Sequence, residues 1–234
     1  MNPVSLPDHF HTILLGSGSP RRKQLLEGLG WPVKVVKKDV DETVPAGVQR
    51  GTIPMQLAEK KAMAFDGELN TDELLITADT IVWLENEVLG KPADEQDAVN
   101  MLSALQGKTH QVYTGVCLTY NGHRHCFNVE TDVTFYKMDH KRILEYVRHY
   151  RPFDKAGSYG AQEGLPAGMD PLSEKEHVFL LAVGKPELFE QSIAVDQTKR
   201  IDIIQHIDGS YFNVMGLPLA ELWDELQHFS NLTR

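Results

Sequence analysis

The chain has 234 residues, of which 41% are hydrophobic, and its 33 acidic and 23 basic residues give a net charge of −10. A chain of this length can bury a full core. The acidic balance argues against a nucleic acid polymer as partner, because such binding depends on neutralised phosphates. It does not exclude a single nucleotide in a locally positive pocket. No apolar run approaches the roughly 20 residues of a membrane span, and the polar first nine residues do not resemble a signal peptide.

The two cysteines are too few for a disulfide framework. Cys117 and Cys126 flank Asn121-Gly122, which predicts a two-residue hairpin turn that sets them opposite each other. We expect free thiols in a reducing cytoplasm, with a cross-strand disulfide as the alternative. The ten histidines have no ligand spacing, so no structural zinc site is expected.

The chain begins with a predicted strand, turn and helix. The apolar run 12–15 predicts the strand, which leads into a Gly/Ser turn. Ser19 suits the N-cap of the following helix, Pro20 its first position, and Gly30 a left-handed stop. We therefore expect a helix that begins at Pro20.

The same turn predicts an anion site. It combines free backbone N–H groups and a helix N-terminus with the hydroxyls of Ser17 and Ser19 and the guanidiniums of Arg21 and Arg22. Such groups favour negative charge, and arginine matches phosphate oxygens. The alternative is an ordinary capped helix with two solvated arginines, and the turn alone does not separate the two.

Further charged candidates follow a second predicted strand over 33–38. Residues 39–42 carry three carboxylates, which either form a solvated loop or hold a divalent cation. A helix predicted over about 54–65 places Lys61 within its apolar stripe. The ammonium of Lys61 either reaches out to water or meets a phosphate in a cleft.

Asp79 interrupts the plainest buried strand, 74–84. Because an unpaired buried carboxylate is costly, Asp79 needs a cation or donors nearby, or a position at an open end of the sheet. We favour a functional role over a structural one. Downstream, Gly90 and Pro92 fix the backbone around Lys91, which is either a second phosphate ligand or a plain loop lysine.

The rest of the chain continues to alternate predicted helices and strands. The remaining elements are predicted as helices over 95–105, after Asp139, over 186–194 and over 218–229, and as strands over 111–120 and 126–137. Between them, residues 154–162 return to tight glycine turns.

Six motifs in series resemble those of the Maf family of nucleotide pyrophosphatases. They are Ser17-Gly18-Ser19-Pro20-Arg21-Arg22, Glu59-Lys60-Lys61-Ala62, Ala78-Asp79-Thr80, Leu89-Gly90-Lys91-Pro92, Lys155-Ala156-Gly157-Ser158-Tyr159-Gly160, and Gly209-Ser210-Tyr211 through Val214-Met215-Gly216-Leu217-Pro218-Leu219. No single motif is specific, but their order along nearly the whole chain is.

The resemblance implies an α/β fold of two lobes around a long mixed β-sheet with a central cleft, similar to inosine triphosphate pyrophosphatases. We expect a single domain over 1–234 with an insertion at about 165–200. The family hydrolyses a nucleoside triphosphate to the monophosphate and pyrophosphate with a divalent metal, magnesium in the first instance and manganese as the alternative. By motif position, the catalytic acid maps to Asp79, and the other polar cleft residues map to Ser19, Arg22, Glu42, Lys61, Lys91 and Gln162.

These positions give a hypothesis about roles. Asp79 and Glu42 are the carboxylates expected to hold the metal and to orient or deprotonate a water, and which of them is base and which is ligand stays open. The phosphates are expected to be held by Arg22, Lys61, Lys91 and the Ser17–Ser19 turn.

The substrate prediction follows from Arg21, Thr80 and Gln162. They match the branch that resembles enzymes acting on dTTP and UTP, and not the branch similar to enzymes acting on 7-methyl-GTP. Short polar groups such as Thr80 and Gln162 suit a pyrimidine edge. The alternatives are modified pyrimidine nucleotides as the true targets, or a nucleotide-binding regulator of septum formation with little turnover.

Two departures from the family pattern raise further expectations. Gly16 stands where alanine is usual, which is expected only to loosen the turn. The span 165–200 is unusually long and is interpreted as a surface insertion, with a dimer contact or a lid as alternatives. The family often forms dimers, so a homodimer is also an expectation from the resemblance.

Overall fold

The structure is a computed structural model that describes residues 6–7, 10–43, 50–192 and 200–233. Within these ranges the strands form one seven-stranded mixed sheet with the order β2-β1-β3-β5-β6-β7, and β4 pairs with the end of β3. The strands are β1 (Thr12–Leu15), β2 (Val33–Val35), β3 (Glu73–Leu84), β4 (Glu87–Leu89), β5 (Thr109–Tyr120), β6 (His123–Phe135) and β7 (Ile204–Asp208). The predicted α/β class is therefore confirmed.

The helices cover both faces of this sheet. In the described residues they are α1 (Pro20–Gly28), α2 (Thr52–Met63), α3 (Glu95–Leu105), α4 (His140–Tyr150), α5 (Ala161–Gly164), α6 (Glu174–Ala182), α7 (Leu188–Ser192), α8 (Tyr211–Met215) and α9 (Leu219–Leu232), with a 3₁₀ turn at Ala156–Ser158. The predicted start of α1 is confirmed, with Ser19 as N-cap and Pro20 in the first turn. None of these helices is long and apolar enough to cross a membrane.

The change of strand direction opens the sheet beside Asp79. β1 is parallel to β2 and β3, whereas β3, β5, β6 and β7 pair in antiparallel fashion. The pairing of β1 with β3 ends at Leu15 opposite Ile76, and β4 joins β3 only from Val82 onwards. Asp79 lies in the gap between these two pairings, so the strand's free edge faces outward there.

Alternation along β3 divides its side chains between two layers. Leu75 packs with α2 residues in one apolar cluster, and Ile81 packs with α2 residues in another. Leu74 and Ile76 face the larger core on the opposite side. The side chain of Asp79 lies on the same face of β3 as Leu75 and Ile81, the face that α2 covers. The side chain of Thr80 lies on the opposite face.

α2 lies very close to the sheet because β5 carries a glycine beneath it. Gly115 is paired with Asp79, and a Cβ at Gly115 would lie 2.2 Å from the backbone of Pro54 and Met55. No side chain larger than hydrogen fits this gap. The glycine therefore sets the height of α2, and with it the position of Lys61 over the sheet.

The predicted hairpin and its thiols are confirmed. Tyr120 pairs with His123 across a turn in which Asn121 and Gly122 have positive φ, as a two-residue turn requires. Cys117 and Cys126 are paired in register and are free thiols.

Several elements differ from the sequence-based expectation. β2 ends at Val35, short of the predicted Lys38, because β1 beside it ends at Leu15 and offers no further partner. The elements that were not predicted are β4, β7, α5, α6 and α8. The helix predicted over 186–194 is α7, Leu188–Ser192, and its last two positions lie outside the described residues.

Gly16 has a spatial reason to be glycine. A Cβ there would lie 2.6 Å from Cγ2 of Thr77 and 3.3 Å from Cδ1 of Leu75. Alanine at this position would require Thr77 to move. The expectation that the glycine only loosens the turn was therefore incomplete.

Candidate active site

A cleft of about 620 Å³ lies at the edge of the sheet where β1 and β2 end. Its walls come from the turn after β1, the residues after β2, one side of α2, the middle of β3, the loop after β4, residues 154–162 and the end of α8. All ten residues predicted for the site line it: Ser17, Ser19, Arg21, Arg22, Glu42, Lys61, Asp79, Thr80, Lys91 and Gln162. The described part of 165–200, by contrast, adds nothing to this lining.

The turn after β1 forms one end of the cleft. Ser19 caps α1, with its hydroxyl accepting a hydrogen bond from the backbone N–H of Arg22 at 3.5 Å. The hydroxyl of Ser17 accepts from the backbone N–H of Ser19 at 3.3 Å. These bonds hold the turn in the shape that directs the N-terminus of α1 into the cleft.

Arg22 is buried and joins the turn to two distant segments. It donates from Nη1 to Ser17 Oγ and Ala78 O, both at 2.9 Å, and from Nε to Gly216 O at 2.8 Å. A fourth bond runs from Nη2 to Thr80 Oγ1 at 2.9 Å. Since a guanidinium has five N–H donors, one is left for a ligand. Burial lowers the pKa of Arg22 to about 10, and the group still carries its charge at neutral pH.

Lys61 joins the two carboxylates of the cleft. Its Nζ lies 2.5 Å from Oδ1 of Asp79 and 2.8 Å from Oε1 of Glu42. Asp79 and Lys61 are mostly buried, with 16% and 17% of their side chains exposed, whereas Glu42 is 58% exposed. A nearby cation was one of the alternatives that the sequence left open for Asp79, and the structure has Lys61 in that position.

The charges around Glu42 favour its ionised form. The hydrogen bond from Lys61 lowers the pKa of Glu42, and the positive charges of Lys61, Lys91 and Arg22 lower it further against the opposing effect of burial. Glu42 is thus a carboxylate at neutral pH. Lys91 itself has no ion pair within the part of the chain that the structure describes, which leaves its ammonium free for an anionic ligand.

The residues predicted for specificity lie in different surroundings. Arg21 pairs with Asp154 at 2.8 Å. Thr80 accepts a hydrogen bond from Arg22 and contacts Oγ1 of Thr114 at 2.9 Å. Gln162 has a buried Oε1 with no hydrogen-bond partner among the described residues. Among Arg21, Thr80 and Gln162, only Gln162 has a buried acceptor atom without a partner in the described residues.

The direction of the threonine bonds limits what Thr80 offers a ligand. Thr114 donates its hydroxyl hydrogen to Asn213 O at 3.1 Å, so the hydrogen between the two threonines comes from Thr80. With its hydrogen used and one bond accepted from Arg22, Thr80 has only a lone pair left. It can accept a hydrogen bond from a ligand but cannot donate one.

Sequence reasoning missed three cations that line the cleft, namely Lys37, Lys38 and Lys155. Lys155 is buried and pairs with Asp154 at 3.0 Å and with Glu163 at 3.2 Å. Lys37 follows β2 and lies against the turn at Gly18. The motif that contains Lys155 was noted but no role was given to this residue, since only its pairing partners reveal that it is buried.

The carboxylate pair meets part of what a divalent metal requires. Magnesium is commonly held by one or two carboxylates together with substrate phosphates, and Asp79 and Glu42 suit such a shared site. In this structure the ammonium of Lys61 lies between the same two oxygens. The described residues contain no group of three or more metal-ligating side chains. The donors therefore fit an ion that arrives with phosphates and not one caged by protein alone.

Comparison with known proteins places these features in a family. A family model described as Maf-like protein matches residues 12–175. A protein from Bacteroides fragilis named dTTP/UTP pyrophosphatase is 44% identical over 93% of this chain and 95% of its own length. A protein of the same name from Bacillus cereus is 38% identical over 95% of this chain and 92% of its own length.

Two solved structures are similar at lower levels. The Ham1 protein of Staphylococcus aureus matches 53% of this chain and 71% of its own with 14% identity and a TM-score of 0.39. A nucleoside-triphosphatase, dITP/XTP pyrophosphatase, from Mycobacterium abscessus matches 77% of this chain and 97% of its own, also with 14% identity and a TM-score of 0.39. The assignment rests on the family model and the sequence relatives, which confirm the resemblance carried by the six motifs: the chain belongs to the Maf-like family.

Proposed function

We propose that this protein is a nucleoside triphosphate pyrophosphatase that cleaves dTTP and UTP to the monophosphate and pyrophosphate. The observation that carries the proposal is the Lys61 ammonium between Asp79 and Glu42, in a cleft that also holds the Ser17–Ser19 turn. Carboxylates for a water and cations for phosphates are both needed for this hydrolysis. The names of the relatives from Bacteroides fragilis and Bacillus cereus support the same reaction.

In this proposal the turn and the lysines bind the phosphates. The helix N-terminus and the serine hydroxyls favour the negative charge, and Lys91 and the remaining N–H of Arg22 add donors. Asp79 and Glu42 orient a water toward the α-phosphorus and one of them accepts its proton, while the bond from that phosphorus to the α,β bridging oxygen breaks and pyrophosphate leaves. Asp79 and Glu42 would hold a divalent ion, magnesium first and manganese as the alternative, which would neutralise part of the phosphate charge.

The base preference is proposed to rest on Gln162 and Thr80. Uracil and thymine present an imide N–H between two carbonyls, whereas neutral cytosine has no such N–H. Gln162 lines the cleft, and its amide carries both groups that this edge requires: once the side chain turns so that the buried Oε1 faces the base, the oxygen accepts the imide N–H and the nitrogen donates to a carbonyl. Thr80 offers a second acceptor. A wrong base leaves these groups unpaired, which is the kind of contact that discriminates strongly.

The first prediction tests this function by pyrophosphate release. Purified protein with magnesium should release pyrophosphate from dTTP and UTP at least tenfold faster than from dCTP or purine triphosphates, in line with the unpaired groups that the wrong base would leave. Asp79→Asn should abolish release, because it removes the charge from the carboxylate that meets Lys61. The matched control is Asp72→Asn, which removes an exposed carboxylate outside the cleft lining.

The same experiment separates the alternatives. A regulator with little turnover would bind nucleotide and form no product after long incubation, and modified pyrimidine triphosphates added to the panel would be cleaved faster if they were the true targets. Asp79→Asn with wild-type activity would refute the proposed roles.

We further propose a reducing cytoplasm as the site of action, supported by the free thiols of Cys117 and Cys126. Dimerisation stays a prediction.

A further inference from the structure

Lys37 reaches the cleft from the strand next to the phosphate turn. β1 and β2 are parallel, so their carboxyl ends meet at one edge of the sheet, where ligands bind in open α/β sheets. The Ser17–Ser19 turn follows β1, and Lys37 follows β2 by two residues. The topology therefore places a flexible cation directly beside the turn.

The end of the Lys37 side chain lies on Gly18. A Cβ added to Gly18 would lie 2.7 Å from Cε and 2.8 Å from Nζ of Lys37. Gly18 is exposed and Lys37 lines the cleft with it. The missing side chain of Gly18 thus leaves the space that the ammonium occupies, over the peptide groups that face the cleft.

The charge of Lys37 is not balanced by an acid. Lys38, the next residue, pairs with Glu68 at 2.5 Å and donates to Ala64 O at 2.8 Å. Across the described ranges no ion pair includes Lys37, although Asp39 also lines the cleft. An ammonium held at a helix N-terminus, where the dipole is itself positive, lacks the counter-charge that an anion would supply.

We propose that Lys37 is a substrate-binding residue that contacts the polyphosphate of the nucleotide above the Gly18 turn. The proposal rests on the nucleotide pyrophosphatase function proposed above and adds a cation to the phosphate site. Lysine acts on phosphate as a mobile point charge, so its contribution is to affinity and not to the orientation of the water.

The test compares Lys37→Gln with Lys34→Gln. Lys34 is an exposed residue of β2 outside the cleft lining, so both variants remove one positive charge from the same strand. Lys37→Gln should raise KM for dTTP about tenfold, the effect of one lost charge-assisted contact, with kcat within about twofold of the wild type. Lys34→Gln should leave both unchanged, and Lys37→Arg should restore most of the affinity. The KM of Lys37→Gln should also depend less on salt.

Direct binding of a non-hydrolysable dTTP analogue, with its α,β bridging oxygen replaced by methylene, provides a readout that does not need turnover. Affinity of Lys37→Gln for the analogue should fall by the same factor. Equal changes in Lys37→Gln and Lys34→Gln, or no change in either, would overturn the inference while the wild-type activity stands. If the wild type binds the analogue but releases no pyrophosphate, the proposed function fails instead, and the affinity ratio still decides the role of Lys37.

Discussion

At the scale of single residues, Lys61 is the cation that joins the two carboxylates of the cleft. Its ammonium holds Asp79 at 2.5 Å and Glu42 at 2.8 Å, although the two acids come from a strand and a loop far apart in sequence. The hydrogen bond from this cation lowers the pKa of Glu42 and so favours its carboxylate form. In the proposed mechanism the phosphates of the nucleotide enter the same cleft. The ammonium of Lys61 is then within reach of both the two carboxylates and the phosphates, so Lys61 acts both in phosphate binding and in hydrolysis.

The second prediction concerns the acidity of Glu42. Because the Lys61 bond is the largest cause of its lowered pKa, Lys61→Met should raise the pKa of Glu42 toward its ordinary value. Carboxyl carbon NMR across a pH titration measures this directly. A group whose pKa is lowered on folding adds stability that is lost as pH falls through the folded pKa. Lys61→Met should therefore also reduce the loss in the free energy of unfolding that accompanies a fall in pH through the folded pKa of Glu42.

Lys60→Met is the matched control, because Lys60 pairs with Asp41 at 3.3 Å and does not contact Glu42. An unchanged Glu42 titration in Lys61→Met would mean that the other cations of the cleft suffice to hold the carboxylate ionised.

At the scale of elements, the alternation of side chains along β3 places two neighbouring site residues on opposite faces of the sheet. Asp79 faces α2 and Lys61, whereas Thr80 faces the opposite layer with Arg22 and Thr114. One strand thus presents an acid to one wall of the cleft and a hydrogen-bond acceptor to the other. The proposed chemistry and the proposed base reading can therefore change independently.

The third prediction tests how α2 sets this arrangement. Gly115→Ala places a methyl group where the backbone of Pro54 and Met55 now lies, so α2 must move away from β5. We expect the free energy of unfolding to fall by about 1–3 kcal/mol. Pyrophosphate release should fall at least tenfold, since Lys61 moves with α2. Thermal unfolding and steady-state rates measure the two effects. Unchanged rates in a destabilised protein would show that Lys61 follows Asp79 regardless of the height of α2.

Much of the site could be read from sequence because its signals are local. Asp79 stands out as a charge within an apolar strand, and Ser19-Pro20 is a start signal for a helix. Lys37 and Lys155 could not be read in this way, because a loop lysine looks the same whether its end meets solvent or a buried acid. The helix α6 did carry a readable signal, the capping box of Ser173 and Glu176, which the sequence analysis did not use.

The short elements lacked such signals. β7 and α8 span five residues each, and their positions depend on partners in other parts of the chain. β7 forms because β6 offers a free edge beside it. The end of β2 likewise depends on where β1 stops, which no local pattern of residues 33–38 encodes.

At the scale of the whole molecule, Glu176 ties the long segment before β7 to the segment after it. Its carboxylate is fully buried and accepts five hydrogen bonds. Two come from Ser173 at the start of α6, and three from Ser210, Tyr211 and Phe212 at the start of α8. Since α8 leads to Gly216 and its bond with Arg22, this carboxylate supports one wall of the cleft from outside.

The fourth prediction is that Glu176→Gln lowers the free energy of unfolding by about 3 kcal/mol, because buried donors lose a charged acceptor. Glu174→Gln, in the exposed first turn of the same helix, should change it by less than about 0.5 kcal/mol. Urea unfolding of both variants measures the difference. Equal stability of the two would indicate that α8 holds its place without this anchor.

The bond from Arg22 to Gly216 spans 194 positions of the chain. During synthesis on the ribosome, Arg22 emerges long before Gly216. Until Gly216 is present, the guanidinium of Arg22 lacks one of its hydrogen-bond acceptors. This wall of the cleft is therefore completed only after Gly216 has been synthesised. A nascent or prematurely terminated chain would carry most of the acidic and basic groups of the cleft, yet could not assemble them into a working enzyme.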